Sequence, residues 1–280
     1  VTVTLVFFLY LLGATLAGAG LCALTTALWP DLGGLAPHRV VNRLGLLLAL
    51  AGLWWFLRAQ GLGRAAALGL DLRDGAFWRR FGLGYLAGLA ILGGLLGLLL
   101  ALDLRHPTPW DAPWPKVLAQ GLFGGLAVAA IEEVFFRGAL MSAILRRGGG
   151  PLAAALWSSG LFALLHFLKP QPAGGCLTSV GAAFIGLLRN TPWDAFAALF
   201  VVGLFLAWTR LRSGHLAWAL GLHAAWVLVI RIAHSTSDLT PGAPLGFLVS
   251  PYDGITGWLA AGWLLLLMGL AGMRRRPRPP

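Results

Sequence analysis

Glu132 and Glu133 are the only glutamates in the chain, and they stand side by side inside an apolar run, GLAVAAIEEVFFRGAL. Placing an ionisable group at membrane depth is costly, so carboxylates found there are functional candidates by default. Neighbours on a helix point about 100° apart, so the two carboxylates cannot share one task. Glu133 and Arg137 lie four apart with the acid first, which suits an ion pair on one helix face. That leaves Glu132 for chemistry. The next apolar run, PLAAALWSSGLFALLHFL, brings His166 four residues after Phe162, and a later run, HLAWALGLHAAWVLVIRI, carries His223 well inside it. One carboxylate and two imidazoles in a dry pocket can activate water, the carboxylate as general base and a histidine as orienter or oxyanion donor. The simpler readings are a helix-packing ion pair for the glutamates and packed or interfacial histidines. The donors Glu132, His166 and His223 also suit a catalytic zinc, although no His-Glu-x-x-His helix motif is present.

The elements that must position these residues are membrane helices. Hydrophobic residues make up 58% of the 280 and charged residues 11%, against roughly 25% charged in ordinary soluble domains. Several apolar runs reach the roughly 20 residues that cross a bilayer as a helix. Punctuation by Pro, Gly and Arg gives eight spans, near 3–28, 41–58, 81–102, 116–145, 151–168, 194–211, 215–234 and 255–273. The expected fold is therefore all-α and polytopic, one membrane-embedded domain over 1–273, with the site on the fourth, fifth and seventh spans and a basic tail over 274–280. Residues Val1 to Trp29 read as a first span, being too long and lacking the basic start of a signal peptide. Counted from the helix ends at ~1.5 Å per residue, Glu132 lies about 20 Å deep, His166 about 22 Å and His223 about 14 Å, close enough to share a layer.

The net charge of +11 fits a positive-inside membrane topology better than a nucleic-acid-binding face, because the 19 arginines and two lysines sit mostly at the ends of apolar runs. With a cytoplasmic N-terminus, 13 basic residues fall in cytoplasmic segments and six in outer loops, Arg39 and Arg43 running against the bias. Trp29, Trp110, Trp114 and Trp193 would mark one interface, and Trp78 and Trp208 the other. Cys22 and Cys176 offer neither a disulfide framework nor a Cys-rich zinc site. The stretch from Gly174 to Leu188 reads as a short re-entrant or interfacial piece, with a ninth span as the competing reading. Its glycines would permit a gate over the pocket, and a plain outer loop is the simpler alternative.

Taken together, the polar residues resemble the CAAX protease and bacteriocin-processing (CPBP, or Abi) family of intramembrane endopeptidases. The family's Glu-Glu-x-x-x-Arg motif is similar to Glu132, Glu133 and Arg137; its Phe-x-x-x-His motif to Phe162 and His166; and its third histidine to His223. The resemblance covers roughly Lys116 to Ile232. It implies Glu132 as the water-activating base assisted by His166, His223 as oxyanion stabiliser, and Glu133, Arg137 and Phe162 as supporting residues. It also implies a membrane-associated protein or peptide as substrate, no nucleic acid, and a glutamic mechanism in preference to zinc. Location in a bacterial cytoplasmic membrane, with both termini cytoplasmic, goes with it. The departure is Val227, where the family has a polar residue. Loss of an oxyanion donor costs about 2.7–4 kcal/mol in transition-state stabilisation, and Trp226, Ser159 or Asn190 could replace it. Val227 also favours an alternative, a non-catalytic scaffold or immunity protein. A proton-coupled transporter is a third reading, which lacks the paired interrupted spans it would need.

Overall fold

The computed structural model describes residues 2–30, 32–110 and 113–273; the basic tail expected over 274–280 lies outside them. The helices are α1 Thr2–Leu28, α2 Pro37–Ala59, α3 Gly75–Ala101, α4 Trp114–Glu133, α5 Met141–Arg146, α6 Pro151–Phe167, α7 Cys176–Asn190, α8 Trp193–Ser213, α9 Ala217–Thr236 and α10 Trp258–Met273. Five of them, α1, α2, α3, α8 and α9, are long and apolar enough to cross a bilayer. The chain is an all-α integral membrane protein. Local sequence sets the ends: Pro151 opens α6, Asp74 caps α3 by accepting from the Ala76 N–H at 2.8 Å, and Gly214, at φ 78°, closes α8.

The chain divides into two compact units, 1–64 with 139–191 and 65–138 with 192–280. In the first, α1 packs on α2 through small residues. A Cβ on Gly18 would stand 2.6 Å from the Gly45 nitrogen, so the backbones touch where no side chain fits. Tyr10 stacks on Phe56 and Phe7 meets Phe56 edge-on in the same pair of helices, and the Tyr10 hydroxyl donates to the Ala49 carbonyl.

The stretch expected to be re-entrant, or a gate or loop, is α7, a 15-residue helix of about 22 Å at 1.5 Å per residue. That falls short of a roughly 30 Å hydrocarbon core. Cys176 and Val180 face the buried Ala19, Cys22 and Val41, and a disulfide joins Cys22 to Cys176 across 154 positions. Two cysteines too few for a framework thus form one bridge, which sequence spacing does not disclose. It fastens the start of α7 to α1.

In the second unit α9 is the central helix, packing against α3, α4 and α8. Glycine explains its close neighbours: a Cβ on Gly221 would stand 2.2 Å from the Phe81 carbonyl oxygen of α3, and one on Gly125 of α4 would stand 2.8 Å from the Ala224 oxygen. At one end of α9, β1 Arg105–Pro107 pairs antiparallel with β2 Ser237–Leu239. Arg105 is buried there and donates to the Ser237 hydroxyl at 2.9 Å and the Gly254 carbonyl at 2.7 Å. Burial lowers its pKa, an effect that Asp238 and Asp253 oppose. Of the tryptophans assigned to the interfaces, Trp29, Trp78, Trp110, Trp114 and Trp193 are exposed.

Candidate active site

Helix α4 meets α9 through Gly121 and Gly125, which brings its last turn alongside the middle of α9. At Glu133 the α-helix gives way to a π-helical stretch, Val134–Leu140, before α5 resumes. Such π segments cluster at functional sites because the wider turn redirects side chains. Arg137 lies within it, fully buried, and donates from Nη1 to Glu133 Oε1 at 2.9 Å and from Nη2 to the Gly203 carbonyl at 3.1 Å. The ion pair expected from the spacing is present, with both side chains removed from solvent.

Glu133 has a second partner. His223 Nδ1 lies 2.8 Å from the same Oε1, and its Nε2 lies 3.7 Å from Glu132 Oε2. Arg137, Glu133, His223 and Glu132 therefore form one chain of charge. Because Glu133 is already paired with Arg137, it acts as the acceptor and His223 Nδ1 as the donor, which fixes the ring with Nε2 towards Glu132. Glu132 Oε2 and Glu133 Oε2 are buried and make no hydrogen bond among the described residues. Buried carboxylate oxygens are rarely left so. Glu132 keeps more than a quarter of its side chain accessible, while Glu133 has none. The two adjacent acids thus divide into an accessible one and a structural one.

Phe162 and His166 lie in the other unit. The rings are 4.5 Å apart, and His166 Nδ1 bonds the Phe162 carbonyl at 2.8 Å. Val227 faces α4, its Cβ 3.4 Å from where a Cβ of Gly125 would stand. Of the residues that could replace the missing polar group, Trp226 packs on Phe205 with a buried indole N–H that makes no hydrogen bond among the described residues, and the same is true of the Ser159 hydroxyl. Asn190 is exposed at the end of α7. As for zinc, no three His, Cys, Asp or Glu side chains among the described residues gather as a ligand set, and the partners of Glu133 and of His223 Nδ1 are protein groups.

Tyr252 was not identified from sequence. Its ionisation is pushed up by partial burial and by the negative fields of Asp253 and Glu132. It stands in a connection between β2 and α10 that carries no motif.

Residues 114–229 match the family model described as type II CAAX prenyl endopeptidase Rce1-like. A curated relative, the uncharacterized protein YyaK of Bacillus subtilis (strain 168), is 28% identical over 184 residues, 64% of this chain and 55% of YyaK. The chain thus spans about half the length of that relative. No solved structure matches the chain. The matched segment contains the Glu132, Glu133, Arg137, His223 cluster together with Phe162 and His166, so the part of the chain that carries the site is similar to the Rce1-like CAAX endopeptidase family.

Proposed function

We propose that the protein is an intramembrane endopeptidase in which Glu132 activates the attacking water. The observation that carries this reading is the chain Arg137, Glu133, His223, Glu132. One cation and two carboxylates leave a charge of −1, and one further proton on the Glu132 and His223 pair makes the buried cluster neutral, the favoured condition in a low dielectric. With that proton on His223, the imidazole donates from both nitrogens and Glu132 stays ionised. Glu132 takes a proton from water as the water oxygen bonds the scissile carbonyl carbon. His223 Nε2–H faces the developing oxyanion. The C–N bond then breaks, and Glu132 returns the proton to the leaving nitrogen.

An imidazolium held by Glu133 supplies charge to the oxyanion without a polar residue at 227, so Val227 is compatible with activity. His166 is assigned to assist the base on the strength of the family motif alone. The substrate is a membrane-associated protein or peptide whose helix unwinds locally to expose the peptide bond. Prenylated C-terminal motifs fit by family analogy; a leader, pheromone or anchoring signal suits a bacterial inner membrane better. The positive-inside bias of the sequence supports a cytoplasmic side for both termini.

The test compares protein termini by mass spectrometry in cells carrying wild-type protein or Glu132→Gln at equal abundance. Termini that vanish only in the variant support the reading. Identical termini move the weight to a non-catalytic membrane protein, for which Val227 is the motivating residue.

A further inference from the structure

The second unit contains a groove of about 470 Å³ where α3 begins, α8 ends and α9 begins. Its floor is apolar, built from Ala87, Ile91, Phe205 and Leu222, and its mouth carries Arg80 and Arg212. The positive charge at the mouth is poorly compensated. Among the described residues Arg80 forms a salt bridge only with Asp74, at 4.0 Å with both side chains well exposed. Arg212 lies over the Trp208 ring, 4.7 Å from its centroid, and forms no salt bridge among the described residues. Beside them, Arg210 Nε and His215 Nδ1 are buried and make no hydrogen bond among the described residues. The local field is positive: burial and then Arg80 and Arg210 hold the His215 imidazole below its ordinary value, against which Asp74 acts.

The exposed Trp78 sits two residues before Arg80 at the start of α3, as tryptophans do at the headgroup level of a bilayer. An apolar trough that opens on a cationic mouth at that depth complements an amphiphile with an anionic head. We propose that this groove binds an anionic phospholipid, its phosphate on Arg80 and Arg212 and the upper part of one acyl chain along Ala87, Ile91 and Leu222. The volume suits a headgroup and the first segment of a chain, the remainder staying in the bilayer. Glu132 and His223 are not among the lining residues, so the inference stands independently of the catalytic reading.

The experiment uses the purified full chain, delipidated in a neutral detergent and titrated with dioleoylphosphatidylglycerol, dioleoylphosphatidylcholine or glycerol 1-phosphate, with bound lipid read by native mass spectrometry. The expected result is at least 10-fold tighter retention of phosphatidylglycerol than of phosphatidylcholine. Retention falls about 10-fold in Arg80→Gln/Arg212→Gln and is unchanged in Arg79→Gln, an exposed neighbour outside the groove. Ala87→Leu, which fills the trough and leaves charge alone, lowers phosphatidylglycerol retention too and serves as the test if the double variant does not fold. Equal retention of the two lipids overturns the proposal, as does equal loss in Arg79→Gln. Binding of glycerol 1-phosphate as tight as that of the lipid would instead mark a soluble-anion site and would also overturn it.

Discussion

Replacing Arg137 by methionine isolates the buried half of the cluster. Arg137 and Glu133 are both inaccessible to solvent, and the guanidinium satisfies Glu133 Oε1 at 2.9 Å and the Gly203 carbonyl at 3.1 Å. Removing one partner of such a pair leaves an uncompensated charge, a loss of about 3–5 kcal/mol. Changing both partners to uncharged groups of similar volume removes the charge problem, so Glu133→Gln/Arg137→Met should recover most of that loss. The assay is reversible unfolding of the purified protein in mixed micelles, run as a double-mutant cycle. A coupling energy of about 2 kcal/mol or more is expected from the fully desolvated geometry. The recovered double variant should remain inactive, because a neutral amide in place of the Glu133 carboxylate no longer holds His223 as a donor from both nitrogens. Arg137→Met costing under about 1 kcal/mol, or a double variant as unstable as the single, would refute the view that the pair is a desolvated ion pair and not a solvated one.

Other outcomes follow from other parts of the molecule. Gly221→Ala forces a methyl to within 2.2 Å of the Phe81 carbonyl and should cost several kcal/mol, about 3 or more, and lower the activity of folded protein by moving α9, as thermal unfolding and turnover would show. Reduction, or Cys22→Ser, should destabilise the first unit by about 2–4 kcal/mol and raise hydrogen exchange in α7; an unchanged exchange rate would mean that packing alone holds that helix. Tyr252→Phe should lower kcat with little change in unfolding temperature, and a wild-type rate would place its phenol outside the reaction. His215 has a depressed pKa in the folded chain. The unfolded chain therefore binds the proton first as pH falls through about 6.5, and stability drops on the acid side; His215→Gln should flatten that limb in a pH series of unfolding temperatures.

Apolar runs bounded by Pro, Gly and Arg located the long helices to within several residues, because a chain in lipid must satisfy its backbone internally and leaves helix as the local solution. Glu133 with Arg137 was equally legible, since four-residue spacing on a helix fixes adjacency. What spacing cannot disclose is which residues meet across helices. The bond from Glu133 to His223 and the bridge from Cys22 to Cys176 both join distant parts of the chain. The π-helical turn at Val134–Leu140 escaped a reading based on 3.6-residue periodicity. Glycine was informative in bulk, and only the structure separates Gly125 and Gly221, where helices touch, from Gly13, Gly20 and Gly262, with nothing within 4 Å of a Cβ.

The central claim is that Glu132 supplies the base. Its most direct test is single-turnover cleavage of a substrate found by terminus comparison, by purified protein in proteoliposomes, for wild type and Glu132→Gln, each with and without a zinc chelator. The account predicts that Glu132→Gln, folded and as stable as wild type, loses about 10²–10⁴-fold in rate, while the chelator leaves the wild-type rate unchanged. A Glu132→Gln rate within a few fold of wild type, or wild-type activity that the chelator abolishes and added zinc restores, would contradict it.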